Sequence, residues 1–71
     1  MNSIEIPDRL LNEHAVARRL AVSVASVRRW RMLHQGPPFV KIGASVRYDA
    51  QELSGWLRTR PMGGELQREV A

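Results

Sequence analysis

Three segments of the chain repeat apolar residues at helical spacing, and each begins directly after a polar residue suited to a helix N-cap. The three cap residues are Asn12, Ser23 and Asp49, and an apolar or aromatic residue precedes each of them. Such a residue often packs on the fourth residue of the helix and fixes the entry of the chain. The pattern therefore predicts helices over about 13–20, 24–33 and 50–59.

Within each predicted helix, apolar residues recur every three or four positions and mark one face that turns toward the core. The first helix leaves Arg18 and Arg19 on its other side. Trp30, Tyr48 and Trp56 take inward positions, so we expect them in the core and not as stacking platforms for single-stranded bases. The helical residues predicted to point inward are Val16, Ala17, Leu20, Val24, Val27, Trp30, Leu33, Leu53, Trp56 and Leu57.

A short hairpin is predicted between the second and third helices. Pro37 and Pro38, after Gly36, cannot continue a helix and favour extended backbone. Residues 39–42 and 46–48 then form two strands joined by a turn at 43–45. A lone hairpin is marginally stable. We therefore expect the hairpin to pack on the helices through Phe39, Ile42, Val46 and Tyr48, which leaves Lys41 and Arg47 available at its outer side.

The chain is strongly basic, and arginine carries almost all of this charge. Its 71 residues have a formal net charge of +4 and a sequence pI of about 11.1. Lys41 is the only lysine, so ten of the eleven basic residues are arginine. A guanidinium holds five donors in a flat fork, which suits phosphates and guanine edges. The composition favours a polyanionic partner, while a merely solubilising surface would carry the same charge.

Size and composition argue against several other functions. A chain this short buries only about 60% of its unfolded surface, so we expect a binding protein and not an enzyme. The chain has no cysteine, and His14 and His34 lack spaced partners, which predicts no metal and no cofactor. No stretch approaches the roughly 18 apolar residues of a membrane span, and the first residues do not resemble a signal peptide. We expect a cytoplasmic protein without a membrane partner.

The second predicted helix concentrates the candidate binding residues. Arg28 and Arg29 are about 100° apart around the helix, so both can flank a surface that faces DNA while Val27 and Trp30 point inward. A merely solvated helix face is the alternative interpretation for this pair. For Arg31 an outer phosphate contact and simple exposure are equally good interpretations.

Several motifs follow one another between Leu11 and Arg60: a short capped helix, a Val-Ser turn, Val-Arg-Arg-Trp, Gly-Pro-Pro-Phe, Lys-x-Gly, Val-Arg-Tyr and a last helix with Trp-Leu. This order resembles the excisionase-like proteins, which include the recombination directionality factors of phages and mobile elements and the AlpA-like regulators. MerR-type and phage small-terminase DNA-binding domains are similar in architecture. The resemblance implies a mainly α fold with a small β-hairpin, a winged helix-turn-helix of three helices and a two-stranded wing.

The resemblance also implies which residues meet DNA. In that family the second helix enters the major groove, and the wing touches the DNA backbone or the minor groove. By position, Ser26 and Arg29 correspond to base-facing sites, and Arg28 corresponds to a phosphate-facing site. Lys41 and Arg47 correspond to the wing contacts.

Two residues depart from the family pattern. Ala21 stands in a turn where the family commonly has glycine, so a left-handed backbone there would cost about 1 kcal/mol. Ala25 lies where a polar side chain would read a base edge, and its methyl group leaves only a contact with a thymine methyl.

The function implied by the resemblance is that of a sequence-specific DNA-binding accessory factor, which binds cooperatively at attachment-site DNA, bends it and promotes excision by an integrase. Expected partners are double-stranded DNA, a cognate integrase and neighbouring copies of the chain. We expect the binding domain to span 10–61 between flexible tails at 1–9 and 62–71; a short helix formed on a neighbouring copy is the alternative for the second tail. An AlpA-like transcriptional regulator is the alternative function, and a phage packaging or protein-interaction module is a more distant one.

Overall fold

The helices lie close to their predicted positions. A computed structural model describes residues 10–64. Within this range the elements are, in chain order, β1 (Leu10–Leu11), α1 (Glu13–Leu20), α2 (Val24–Met32), β2 (Val40–Ile42), β3 (Ser45–Asp49) and α3 (Ala50–Arg58). The described part of the chain is thus a mixed α/β fold with three helices and a three-stranded antiparallel sheet in the order β1-β3-β2. The predicted tail at 1–9, and all but 62–64 of the second tail, lie outside the described residues.

The three predicted N-caps are confirmed. In each case the side-chain oxygen of the cap accepts a hydrogen bond from the backbone N–H three residues later, at 2.8 Å for Asn12, 3.1 Å for Ser23 and 3.0 Å for Asp49. Each bond satisfies a backbone donor that has no partner inside the helix and contributes about 1 kcal/mol. These local bonds fix where the helices begin.

The core joins one face of each helix to one face of β3. Leu33 and Leu57, which the helical spacing turns inward, are instead about half exposed, so these two predictions are wrong. Leu33 is already the C-cap of α2, and Leu57 borders an open groove of about 400 Å³ beside Leu53. The buried residues of the core cluster are Val16, Ala17, Val27, Tyr48 and Leu53, and those packed around them are Leu11, Leu20, Val22, Val24, Trp30, Val46 and Trp56.

The predicted hairpin is present, but two residues join its strands and not three. The observed register pairs Val40 with Arg47 and Lys41 with Val46. Residues that face each other across two strands lie on the same side of the sheet. Lys41 and Arg47 therefore lie on opposite faces of the hairpin, and the prediction of both at its outer side is wrong. A three-residue turn would have paired them, because a shift of one residue exchanges the faces of a strand.

The same shift exposes Ile42. This residue pairs with Ser45 and is 56% exposed, so its predicted packing on the helices is wrong. Phe39 precedes β2 and is also exposed, although its ring lies 5.9 Å from the ring of Tyr48. Gly43 opens the two-residue loop with φ of 62°, a conformation that glycine adopts without strain.

A third strand, β1, completes the sheet. Leu10 pairs with Asp49 and Leu11 pairs with Tyr48, so β1 covers the edge of β3 that faces away from β2. A strand of only two residues is too short to show a periodic pattern, and the sequence therefore does not predict β1. The pairing matters for the site because it brings the start of α1 next to the hairpin.

Helix α1 ends at an alanine in the left-handed region. Ala21 has φ of 58° and ψ of 44°, its N–H bonds to the carbonyl of Arg18, and the N–H of Val22 bonds to the carbonyl of Ala17. These two bonds form a Schellman motif, in which glycine is usual at the left-handed residue. The expected strain at Ala21 thus has a structural basis, and His34, with φ of 57°, ends α2 in the same way.

Replacing Ala21 with glycine is expected to stabilise the protein by about 0.5 to 1 kcal/mol, because relief of the left-handed strain exceeds the added entropy of an unfolded glycine. The urea midpoint of unfolding should rise while its slope stays constant. Gly43→Ala is the reverse control: an added Cβ meets no heavy atom within 4 Å, so strain alone should lower the midpoint. A lower midpoint for Ala21→Gly would contradict this account.

Candidate nucleic-acid interface

One exposed face of α2 carries residues from successive turns of the helix. We call it the α2 face. It borders a shallow groove of about 550 Å³ and consists of Ala25, Ser26, Arg28, Arg29 and Met32. Val27, by contrast, is buried in the core and holds the helix in place. The α2 face therefore combines two cations with small side chains over which another molecule can approach closely.

A second concave surface lies where the start of α1, the helix α2 and the hairpin meet. We call it the hairpin cleft. It encloses about 370 Å³ and brings two arginines of α2, Arg28 and Arg31, together with Arg47 of β3. Arg28 borders both surfaces, so the α2 face and the hairpin cleft adjoin at its side chain. The full lining of the cleft is Asn12, Glu13, His14, Arg28, Arg31, Ala44, Ser45, Val46 and Arg47.

Glu13, the first residue of α1, binds two of these arginines. Its Oε2 accepts hydrogen bonds from Arg28 Nε at 2.9 Å and from Arg28 Nη2 at 2.5 Å, and its Oε1 accepts one from Arg31 Nη2 at 3.2 Å. The bonds from Arg28 hold the pKa of the Glu13 carboxyl below its usual value; desolvation opposes this shift and Arg31 adds to it. One ionised carboxylate thus lies between two guanidinium groups, which leaves the triad with a net charge of +1.

Arg31 connects the cleft to the core. Its Nη1 donates a hydrogen bond to Tyr48 Oη at 3.0 Å, and its guanidinium lies 5.9 Å from the ring centre of Phe39. The bond to Tyr48 is the main reason that the pKa of Arg31 is raised, and Glu13 contributes further. Its side chain is only 23% exposed, so the interpretation of Arg31 as simply exposed is wrong. Arg31 holds α1, α2 and β3 together at the base of the cleft.

Arg28 is more available than Arg31. Its side chain is 55% exposed although it is paired with Glu13, and the hydrogen bond to this carboxylate raises its pKa. Only two of the five N–H groups of Arg28 are engaged within residues 10–64. The remaining donors can reach a ligand without breaking the pair.

The other predicted cations differ in whether their side chains already make hydrogen bonds within the described residues. Arg29 and Lys41 are exposed, and within the described part of the chain no hydrogen bond or ion pair holds either side chain. Arg47 is half-buried, and its Nη1 donates to the carbonyl of Val46 at 2.8 Å. Arg29 and Lys41 therefore meet a ligand with full hydrogen-bonding capacity, whereas Arg47 is held close to its own strand.

Ser26 is partly engaged by the cap of its own helix. Its Oγ accepts a hydrogen bond from Ser23 Oγ at 3.1 Å, and its backbone N–H donates to the same Ser23 oxygen. The hydroxyl hydrogen of Ser26 stays available as a donor. The predicted base contact of Ser26 is thus compatible with its place on the α2 face.

Glu13 is the residue of this region that sequence reasoning misses. An acidic residue in the first turn of a helix is ordinarily explained by the helix dipole, so nothing about Glu13 points to arginine. Its partners lie 15 and 18 residues further along the chain. Only the packing of α1 on α2 brings Glu13 close to Arg28 and Arg31. A single sequence does not specify how two helices pack against each other.

Two comparisons of this chain with known proteins give no match. No protein-family model matches it, and no curated protein matches it with significant similarity. Within residues 10–64, no helix has the length and apolar character that crossing a membrane requires. The function proposed below depends on the shape and charge of the two basic surfaces.

Proposed function

We propose that the protein binds double-stranded DNA as a winged helix-turn-helix, with α1 and α2 as the helix pair and β2 with β3 as the wing. In this proposal it is a sequence-specific accessory factor of the excisionase type. The observation that carries the proposal is the position of Arg28, which joins the α2 face to the hairpin cleft in one basic surface. Binding of this kind requires no catalytic group and no cofactor.

The dimensions of DNA support α2 as the helix that reads bases. The major groove is about 12 Å wide and admits one α-helix. The exposed α2 face would lie in this groove, with Arg29 and Ser26 toward the base edges and Arg28 toward the adjoining phosphates. Lys41 and Arg47 would then reach the DNA backbone from the two faces of the hairpin. Phosphate contacts give the affinity, and base contacts select the sequence.

The small size of the domain favours several copies acting together. One copy offers only about three or four side chains to the bases, so a single site should be bound weakly. Copies bound side by side on repeated sites would combine their affinities, and together they would bend the DNA. A bent attachment site is what an integrase needs from an accessory factor, and duplex DNA as ligand agrees with the expected cytoplasmic location.

Footprinting followed by a recombination assay tests this proposal. On DNA that flanks the encoding gene, we expect the protein to protect repeated sites cooperatively. With the integrase encoded by the same element, excision should require the protein. Equal excision with and without it would refute the accessory role. Protection of a promoter would then indicate an AlpA-like regulator, and absence of any protection would indicate a protein-interaction module.

A further inference from the structure

Glu13 is the acidic residue among those that line the two basic surfaces. We propose that Glu13 is a specificity-determining residue: by pairing with Arg28 it restrains binding to the phosphates of non-specific DNA while it holds Arg28 in place for the correct site. This inference rests on the proposed DNA-binding function. It adds a role for a residue that itself would bind no part of the DNA.

The charge of Glu13 acts mainly on phosphate. Non-specific affinity comes from cations that neutralise phosphates. A phosphate that approaches Arg28 meets the Glu13 carboxylate, which occupies two of the donors and repels a second anion. The base edges of the major groove are neutral acceptors, and a carboxylate repels them far less. Glu13 therefore weakens the phosphate contacts on which non-specific binding depends, and it leaves the base contacts of the other side chains on the α2 face unaffected.

The position of Glu13 is well fixed, which this role requires. Its side chain is only 20% exposed and lies between Arg28 and Arg31. Arg31 is in turn bonded to the buried Tyr48, so the carboxylate is anchored to the core. Because Glu13 binds one edge of the Arg28 guanidinium, the opposite edge is the one presented to a ligand. Holding a rotamer-rich side chain in this way lowers the entropy lost on binding.

Glu13→Gln tests the inference, with Glu52→Gln as the matched control. Each substitution removes one negative charge, but the exposed Glu52 lies on α3 and lines neither basic surface. The ligand is a fluorescent duplex of about 20 base pairs with randomised sequence, titrated by anisotropy over a series of NaCl concentrations. Relative to Glu52→Gln, we expect Glu13→Gln to bind about three- to tenfold more tightly at low salt. Its log-log salt slope should steepen by up to about 1, because the charge of Arg28, which Glu13 partly offsets in the unchanged protein, can then neutralise a phosphate in full.

A second comparison tests whether Glu13 acts through Arg28. In an Arg28→Gln background the advantage of Glu13→Gln over Glu52→Gln should fall below about twofold, because the arginine it restrains is gone. An undiminished advantage would overturn the inference. Equal binding by the two single variants, or weaker binding by Glu13→Gln, would also overturn it.

A second variant of Glu13 keeps the inference testable if Glu13→Gln does not fold. If circular dichroism shows that Glu13→Gln does not fold, Glu13→Asp takes its place, since its shorter carboxylate reaches Arg28 less well. Glu13→Asp should bind the random duplex more tightly than the unchanged protein, and no gain would overturn the inference.

Binding by the unchanged protein separates this inference from the proposed function. If it binds no duplex even at low salt, the proposed function fails, and if it binds while Glu13→Gln matches its control, only the role of Glu13 fails.

Discussion

Tyr48→Ala is expected to lower the melting temperature by about 12 to 40 °C, or to leave the protein unfolded at every temperature. Tyr48 is 1% exposed and belongs to the buried cluster that also contains Val27 and Leu53. It pairs with Leu11 of β1, and its hydroxyl binds Arg31. Truncation of a buried aromatic residue to alanine typically costs about 3 to 5 kcal/mol, and 1 kcal/mol shifts the melting temperature of a domain this size by about 4 to 8 °C.

Tyr48→Phe is the control for the hydroxyl group. It keeps the buried ring and removes only the acceptor for Arg31, so we expect a loss of about 1 kcal/mol. Thermal unfolding followed by far-UV circular dichroism compares both variants with the unchanged protein. A melting temperature for Tyr48→Ala within a few degrees of that for Tyr48→Phe would show that β3 is not held to the helices as described.

Arg29→Ala is expected to weaken binding to the specific duplex by about 5- to 150-fold, which corresponds to about 1 to 3 kcal/mol for one bidentate contact with a base. Arg29 lies on the α2 face and has no partner among residues 10–64, so its loss should leave the fold unaltered. The melting temperature should therefore stay close to that of the unchanged protein. Affinity for a random duplex should fall less, because there Arg29 contributes only charge.

Arg58→Ala provides the matched control for Arg29. Arg58 is an exposed arginine of α3 that lines neither the α2 face nor the hairpin cleft, so its removal changes the net charge equally. Anisotropy titrations with the footprinted site should show less than about a threefold loss for this variant. Equal losses for Arg29→Ala and Arg58→Ala would mean that total charge, and not the α2 face, determines the affinity.

The parts of the fold that depend on neighbouring residues could be predicted from the sequence. Asn12, Ser23 and Asp49 cap the helices with bonds that span three residues, so the sequence contains both partners in one short segment. The left-handed backbone at Ala21 is also local, but alanine gives no signal for it, and only the resemblance to a family with glycine at this position raised it. Periodicity also predicted most of the core, and it failed at the C-terminal ends of α2 and α3, where no element among residues 10–64 covers Leu33 and Leu57.

The register of the hairpin could not be predicted from neighbouring residues or from periodicity. A Gly-Ala-Ser segment accommodates a turn of two or of three residues, and the choice decides whether Lys41 lies on the same face as Arg47. The candidate site shows the same limit. Its cations could be proposed from the residues of α2 and the hairpin, but the pairing of Glu13 with Arg28 depends on how α1 packs against α2. Contacts between elements distant in sequence have no local signal.

The salt dependence of binding by the unchanged protein tests the central claim most directly. The four cations proposed to meet DNA with side chains not committed to the core are Arg28, Arg29, Lys41 and Arg47. If they neutralise phosphates, the logarithm of the affinity for duplex DNA should fall against the logarithm of the salt concentration with a slope of about −3 to −4 for each bound copy. A slope near zero, or no binding at low salt, would contradict the account of these surfaces as a DNA interface.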